Sequence, residues 1–128
     1  MRLNELQMLR ELRKLLTRPD LTVTKRRLSG KYAHADYFVT VDEPNSQRQV
    51  KDIKIYIDPR QDSHITLILH ELLHIFVGLN YDIDLKLNDR LEESIVLALE
   101  SHLFSYLRDP RNMKQLESWD QAIKRKIL

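Results

Sequence analysis

The chain has 128 residues, no cysteine and a formal net charge of +2. This length suits one domain with a real core and leaves little room for a second, and the lack of cysteine excludes disulfides and thiolate metal ligands. The N-terminus lacks the apolar core of a signal peptide, and no apolar run is long enough to span a bilayer. We therefore expect a cytoplasmic protein with no membrane partner.

The first half of the chain predicts one helix followed by three short strands. Leucines recur at helical spacing from about residue 2 to residue 17, and Pro19 then ends the helix. The strands are expected at 21–28, 37–41 and 50–57, and the third alternates isoleucine with polar residues until Asp58 and Pro59 end it. Helices around a short antiparallel sheet of about three strands indicate the α+β class.

The most informative motif is His70-Glu71-Leu-Leu-His74, inside the apolar stretch 65–79. Residues four apart share a helix face, so the two imidazoles can bind one metal ion, with Glu71 placed to act on a water at that metal. The apolar surroundings predict a buried helix, in which polar side chains need partners or a metal. Asp62 or Ser63 is expected to cap this helix, which runs to about Leu79.

A catalytic zinc site needs a third protein ligand, and a second apolar helix over about 89–108 offers several. Asp89 followed three residues later by Glu92 resembles a capping box, which gives Glu92 a local role and leaves Glu93 free for the metal. Asp109 and Pro110 then end this helix and start a last one. The full set of candidates for the third ligand is Asn80, Asp82, Asp84, Asp89, Glu92, Glu93 and His102.

Eighteen residues separate His74 from Glu93, and this spacing resembles that of one branch of the gluzincin metallopeptidases. Ile55 to Arg60, shortly before the His-Glu-x-x-His helix, is similar to the strand-loop-helix entry of small phage and prophage proteins with this motif. The resemblance implies a single zincin-like domain over 1–128 that binds Zn²⁺ through His70, His74 and Glu93. It also implies hydrolysis of a protein or peptide substrate, with Glu71 as the catalytic base.

Several roles stay open at this stage. We expect a carboxylate to orient a metal histidine, and the substrate peptide to pair along the strand Lys54–Ile57. The candidates for the orienting carboxylate are Asp82, Asp84 and Glu100, and those for an oxyanion donor are Tyr32, His34, Tyr37, Tyr56 and Tyr81.

Two alternatives to a peptidase are kept. One is a non-catalytic binding or regulatory protein that has the zincin fold. The other is a DNA-associated protease recruited by the basic clusters 25–27 and 124–126. Nucleic acid is the less favoured partner, because 19 acidic residues nearly balance 21 basic ones.

Overall fold

Helices and a three-stranded sheet make up the fold, which confirms the α+β class. The computed structural model describes residues 4–42, 47–60, 64–80 and 89–127. In these ranges the elements are α1 (Glu5–Leu16), β1 (Leu21–Lys25), β2 (Ala33–Asp42), β3 (Gln47–Ile57), α2 (His64–Asn80), α3 (Asp89–Arg108), a 3₁₀ turn (Pro110–Asn112) and α4 (Met113–Lys126).

The sheet is mixed, with strand order β1-β3-β2. β2 pairs with β3 in antiparallel fashion, but β1 runs parallel to β3, so the expected purely antiparallel sheet is wrong at β1. Ile53, Ile55 and Ile57 on β3 are fully buried, and the centre of the sheet is where such a strand buries most apolar surface. The prediction that Lys54–Ile57 offers a free edge to a peptide is also wrong, because this segment pairs on both sides.

Asp58 explains how β1 is held parallel to β3. Its buried carboxylate accepts hydrogen bonds from the backbone N–H of Leu28 (3.1 Å) and of Arg60 (2.9 Å), and from the Arg60 guanidinium (2.6 Å). The Arg26 N–H adds a bond to the Ile57 carbonyl (2.9 Å). These bonds join the segment after β1 to the end of β3. The Arg60 guanidinium holds the pKa of Asp58 well below its usual range.

The strands differ in length from the prediction. β1 ends at Lys25, earlier than expected, whereas β2 already begins at Ala33 and β3 at Gln47. The segment from Ala33 to Asp36 has small or polar side chains with a weak strand signal, but it pairs with residues 54–57 of β3. A partner strand that lies far away in the sequence therefore fixes the start of β2.

The two outer strands of the sheet have different neighbours. On β1, Val23 forms a bridge with Ile127, and the Lys126 ammonium donates to the carbonyls of Arg18 and Leu21 (2.7 and 2.8 Å). The C-terminal segment thus covers part of the β1 edge. Within the described residues, β2 has β3 as its only strand neighbour.

The helices form largely where the sequence predicts them. α1 begins with a capping box in which the Asn4 side chain accepts from the Gln7 N–H and the Gln7 side chain accepts from the Asn4 N–H. α2 ends near the predicted residue, while its expected caps, Asp62 and Ser63, lie outside the described residues. None of the described helices could cross a membrane. The buried residues of α2 surround most of the helix: Ile68, Leu69, Leu72, Leu73, Ile75, Phe76 and Val77.

Candidate metal centre

The two motif histidines lie on one face of α2, one turn apart, as their spacing predicts. The ring centroids of His70 and His74 are 4.8 Å apart, and the rings meet at 74°. Their Nε2 atoms point toward a common point and are 3.2 Å from each other. Both side chains are about three-quarters buried, because the apolar remainder of α2 anchors this helix in the core.

Glu93 on α3 reaches the same point from the opposite side. One of its carboxylate oxygens is 2.9 Å from Nε2 of His74, and the other is 3.5 Å from Nε2 of His70. The three side chains form a group whose ligand atoms all lie within 4.8 Å of one another. The fold thus brings together the three residues that the sequence proposed as metal ligands.

The other nitrogen of each ring faces a further carboxylate of α3. Nδ1 of His70 contacts Glu100, and Nδ1 of His74 lies 3.2 Å from Glu92. An ionised carboxylate can only accept a hydrogen bond, so these contacts favour the tautomer of each ring with its proton on Nδ1. In the neutral rings Nε2 is then the unprotonated nitrogen, which is the form that binds a metal.

The donor set fits a tetrahedral metal ion. With both Nδ1 atoms protonated, the two Nε2 atoms and the Glu93 carboxylate are all acceptors, and acceptors this close repel one another unless a cation lies between them. Two ligands at about 2.0–2.1 Å from a tetrahedral ion are about 3.3 Å apart. The observed separations, 2.9, 3.2 and 3.5 Å, bracket that value. One extra proton on Nε2 of His74 could be donated to Glu93 (2.9 Å) or to His70 (3.2 Å), whereas a metal ion satisfies all three groups.

The sequence left Glu92 two possible roles, a helix cap or the third ligand, and did not indicate a contact with Nδ1 of His74. Its carboxylate contacts His74, and the Asp89 side chain, the expected partner in a capping box, lies outside the described residues. For Glu100 the sequence does contain a signal. Glu93 and Glu100 are seven residues apart and share a face of α3 with the buried Val96, so both are expected to face α2. Of the expected orienting carboxylates, Glu100 is at the site, whereas Asp82 and Asp84 lie outside the described residues.

Glu71 is half-buried beside the cluster. Burial raises the pKa of its carboxyl, the imidazoles of His70, His74 and His34 oppose this rise, and the negative charge of Glu93 adds to it. Strand β2, which carries His34, packs against α2.

The described candidates for an oxyanion donor lie in different surroundings. Tyr32 is 64% exposed, the Tyr56 ring lies under the Arg26 guanidinium (5.2 Å), and Tyr81 lies outside the described residues. Tyr37 is nearest to α2, since a Cβ added at Gly78 would be 3.7 Å from its hydroxyl oxygen. Tyr37 on β2 therefore lies near the helix that carries the two motif histidines.

Comparison of the chain with protein-family models, with curated proteins and with solved structures gave no match. The proposed function therefore rests on the geometry of the site itself.

Proposed function

We propose that the protein is a zinc-dependent metallopeptidase of the gluzincin type. The observation that carries this proposal is the convergence of His70 Nε2, His74 Nε2 and the Glu93 carboxylate, with each outer ring nitrogen facing a carboxylate. Two imidazoles and one carboxylate are the protein ligands of several catalytic zinc sites, which keep one position open. Glu93 is 44% exposed, which supports access from solvent.

Each residue of the site has a distinct role in this proposal. His70, His74 and Glu93 hold the ion, and bound zinc would lower the pKa of a water and polarise the substrate carbonyl. Glu71 accepts the proton of the attacking water and transfers it to the leaving amine. Glu92 and Glu100 do not hold the ion, but they fix the orientation of the two rings.

The edge of β2 is the best candidate for binding an extended peptide. β3 is paired on both sides, and Ile127 covers part of β1, so β2 is the outer strand for which the described residues show no second strand neighbour. This strand packs against α2, and the Tyr37 hydroxyl lies near Gly78 of that helix. A peptide added along β2 would gain main-chain hydrogen bonds in the usual manner of strand addition.

The test combines metal analysis with hydrolysis of unfolded casein. Purified protein should contain about one equivalent of zinc, and chelation should abolish cleavage. Glu71→Gln should retain the zinc but lose at least about 10²–10⁴-fold in rate, because it removes the proton acceptor alone. Glu117→Gln on the exposed face of α4 is the matched control, and it should leave both the zinc content and the rate of casein cleavage unchanged.

Two outcomes would contradict the proposal. Wild-type turnover by Glu71→Gln would remove this residue from the mechanism. Zinc binding without cleavage of casein or of a diverse peptide mixture would instead support a non-catalytic binding protein.

A further inference from the structure

The sheet has one face packed on helices and one whose described side chains are exposed or half-exposed. α2 packs against β2 and β3, and the buried isoleucines of β3 share one core with that helix. Side chains alternate along a strand and paired residues share a face, so the residues between these isoleucines lie on the other side, here called the outer sheet face. By the strand register this face carries His34, Asp36, Phe38, Lys51, Lys54 and Tyr56.

Two flat groups lie on the outer sheet face. Phe38 is 67% exposed and is the strand partner of Lys51. The second group is the exposed Arg26, whose guanidinium lies over the Tyr56 ring, 5.2 Å from its centroid. The strand partner of Tyr56 is His34, four residues before Phe38, so the two groups are about 13 Å apart along the sheet. An aromatic ring and a guanidinium plane are both surfaces on which a nucleobase can stack.

Positive charge surrounds these two groups. The exposed cations on or beside the face are Lys25, Arg26, Arg27, Lys31, Lys51 and Lys54. The ion pairs of lysine and arginine in the described part of the chain all involve other cations. The described acids at the face are Asp36, which lies 2.8 Å from Nε2 of His34, and the exposed Asp52. Six cations against two carboxylates leave the face positive.

The two basic clusters of the chain therefore differ. In the cluster 124–126, Lys124 pairs with Asp120 (2.9 Å) and Lys126 donates to two backbone carbonyls. The cluster 25–27 belongs to the stretch 21–35, which has four basic residues and no acidic one. The near balance of charge over the whole chain thus hides a local excess at the sheet.

We propose that the outer sheet face binds single-stranded nucleic acid, with bases stacked on Phe38 and on Arg26 and with phosphates beside Lys51 and Lys54. Stacking platforms combined with cations that follow the backbone are the usual means of holding a single strand. In a duplex the base faces are stacked on one another, whereas the bases of a single strand can lie on such platforms. Acidic side chains of a protein would attract the cations, but they have no flat ring to stack. This surface shares no residue with the metal centre, so the proposal does not depend on peptidase activity.

Fluorescence anisotropy of labelled oligothymidylate of about 15 nucleotides measures the binding, with a duplex of the same length and polyglutamate as comparison polyanions. The single strand should bind saturably, with a Kd at least tenfold lower than that of the duplex. Each phosphate contact of a single strand contributes about −0.7 to the slope of log K against log salt concentration. Contacts from Lys51 and Lys54 should therefore give a slope of about −1.4 or steeper.

Three results in the wild-type protein would overturn the proposal. The first is the absence of saturable binding at about 50 mM salt, where such electrostatic binding is strong. Equal affinity for the duplex would exclude stacking of free bases. Displacement of the labelled strand by polyglutamate as effectively as by unlabelled oligothymidylate, at equal charge concentration, would instead indicate an acidic protein as the partner.

Variants separate stacking from charge. Phe38→Ala should raise the Kd at least about fivefold without changing the salt slope, since stacking of one base on an aromatic ring is lost. Lys54→Gln should raise the Kd and make the slope shallower by about 0.7. The matched controls are Leu97→Ala, an apolar residue of α3 that is 52% exposed, and Lys114→Gln, exposed on α4, and both should bind as the wild type does. A wild-type Kd in Phe38→Ala, or a wild-type slope in Lys54→Gln, would overturn the proposal.

Discussion

Glu92 and Glu93 contact opposite nitrogens of the same imidazole. Glu92 lies 3.2 Å from Nδ1 of His74, and Glu93 lies 2.9 Å from its Nε2. Adjacent residues of a helix point about 100° apart, so one turn of α3 reaches around the ring with two carboxylates. Only Glu93 shares the point where both Nε2 atoms meet, which gives the two neighbours different functions.

Removing these two carboxylates should affect metal binding to different extents. Glu93→Ala deletes one of three ligands, and we expect zinc affinity to fall by several orders of magnitude. Glu92→Ala leaves the ligands in place but frees the His74 ring, and we expect a loss of about 10–100-fold. Competition with a chromogenic chelator measures both dissociation constants.

The control for this pair is Glu117→Ala, which removes an exposed carboxylate of α4 and should leave zinc affinity unchanged. If Glu92→Ala released the metal while Glu93→Ala kept it, the assignment of the two residues would be reversed. Retention of wild-type affinity by both variants would move the third ligand elsewhere.

Glu100 should act on His70 as Glu92 acts on His74. Glu100→Gln retains an acceptor for the Nδ1 proton but removes the negative charge, and we expect zinc affinity to fall about tenfold, near the lower end of the range for such partners. Nitrogen NMR of the His70 ring would show whether Nδ1 keeps its proton in this variant. If it does, the lower zinc affinity is an electrostatic effect. An affinity equal to that of the wild type would mean that Glu100 has no influence on the ion.

Asp58 should make the stability of the protein depend on acidic pH. Its pKa is lowered in the folded state, chiefly by hydrogen bonds from Arg60, so the ionised form stabilises the fold. This contribution is complete above the ordinary pKa of about 3.9 and is lost as the pH falls from there toward the folded-state pKa. Asp58→Asn should therefore be less stable than the wild type at pH 7, with the difference shrinking below about pH 4.

Urea unfolding at pH 7, 5 and 3 measures this difference. Asp120→Asn, which removes an exposed partner of Lys124, is the control and should shift the urea midpoint little at any of these values. A difference between Asp58→Asn and the wild type that stays constant from pH 7 to pH 3 would show that the charge of Asp58 does not contribute.

Gly78→Ala should stabilise the protein. Gly78 lies inside α2, where glycine costs about 0.5–1 kcal/mol relative to alanine. The nearest atom to the added methyl group would be the Tyr37 hydroxyl oxygen at 3.7 Å, an ordinary contact distance. We expect the free energy of unfolding to rise by about this amount in denaturant titrations. A decrease would show that the strand β2 packs more tightly against α2 than this distance indicates.

The parts of the site that the sequence predicts are those determined by local spacing. His70 and His74 are four residues apart within one apolar helix, so their shared face follows from helix geometry alone. Glu93 can be a ligand only if a second helix lies at the right distance from α2. The sequence pattern of α3 predicts that this helix exists but not where it lies. The contact of Glu92 with His74 was not predicted. A glutamate near the start of a helix gives the same local sequence signal whether it caps that helix or contacts a histidine on another one.

The fold was less predictable where distant segments meet. Three strands in succession favour antiparallel neighbours, and nothing local to β1 indicates that β3 will lie parallel to it. One of the bonds that join the segment after β1 to the end of β3 is donated by the Leu28 N–H to Asp58, thirty residues away. The first half of β2 was missed for the same reason, since its pairing with residues 54–57 depends on β3.

The central position of β3 has a consequence for the order of folding. β1 and β2 precede it in the chain, yet within the described sheet neither pairs with the other. During synthesis both strands must therefore wait for residues 47–57 before any ladder can form, and β1 then joins across a long sequence separation, which slows folding. A fragment that ends at residue 46 should show no strand signal by circular dichroism, whereas one that extends through α2 should.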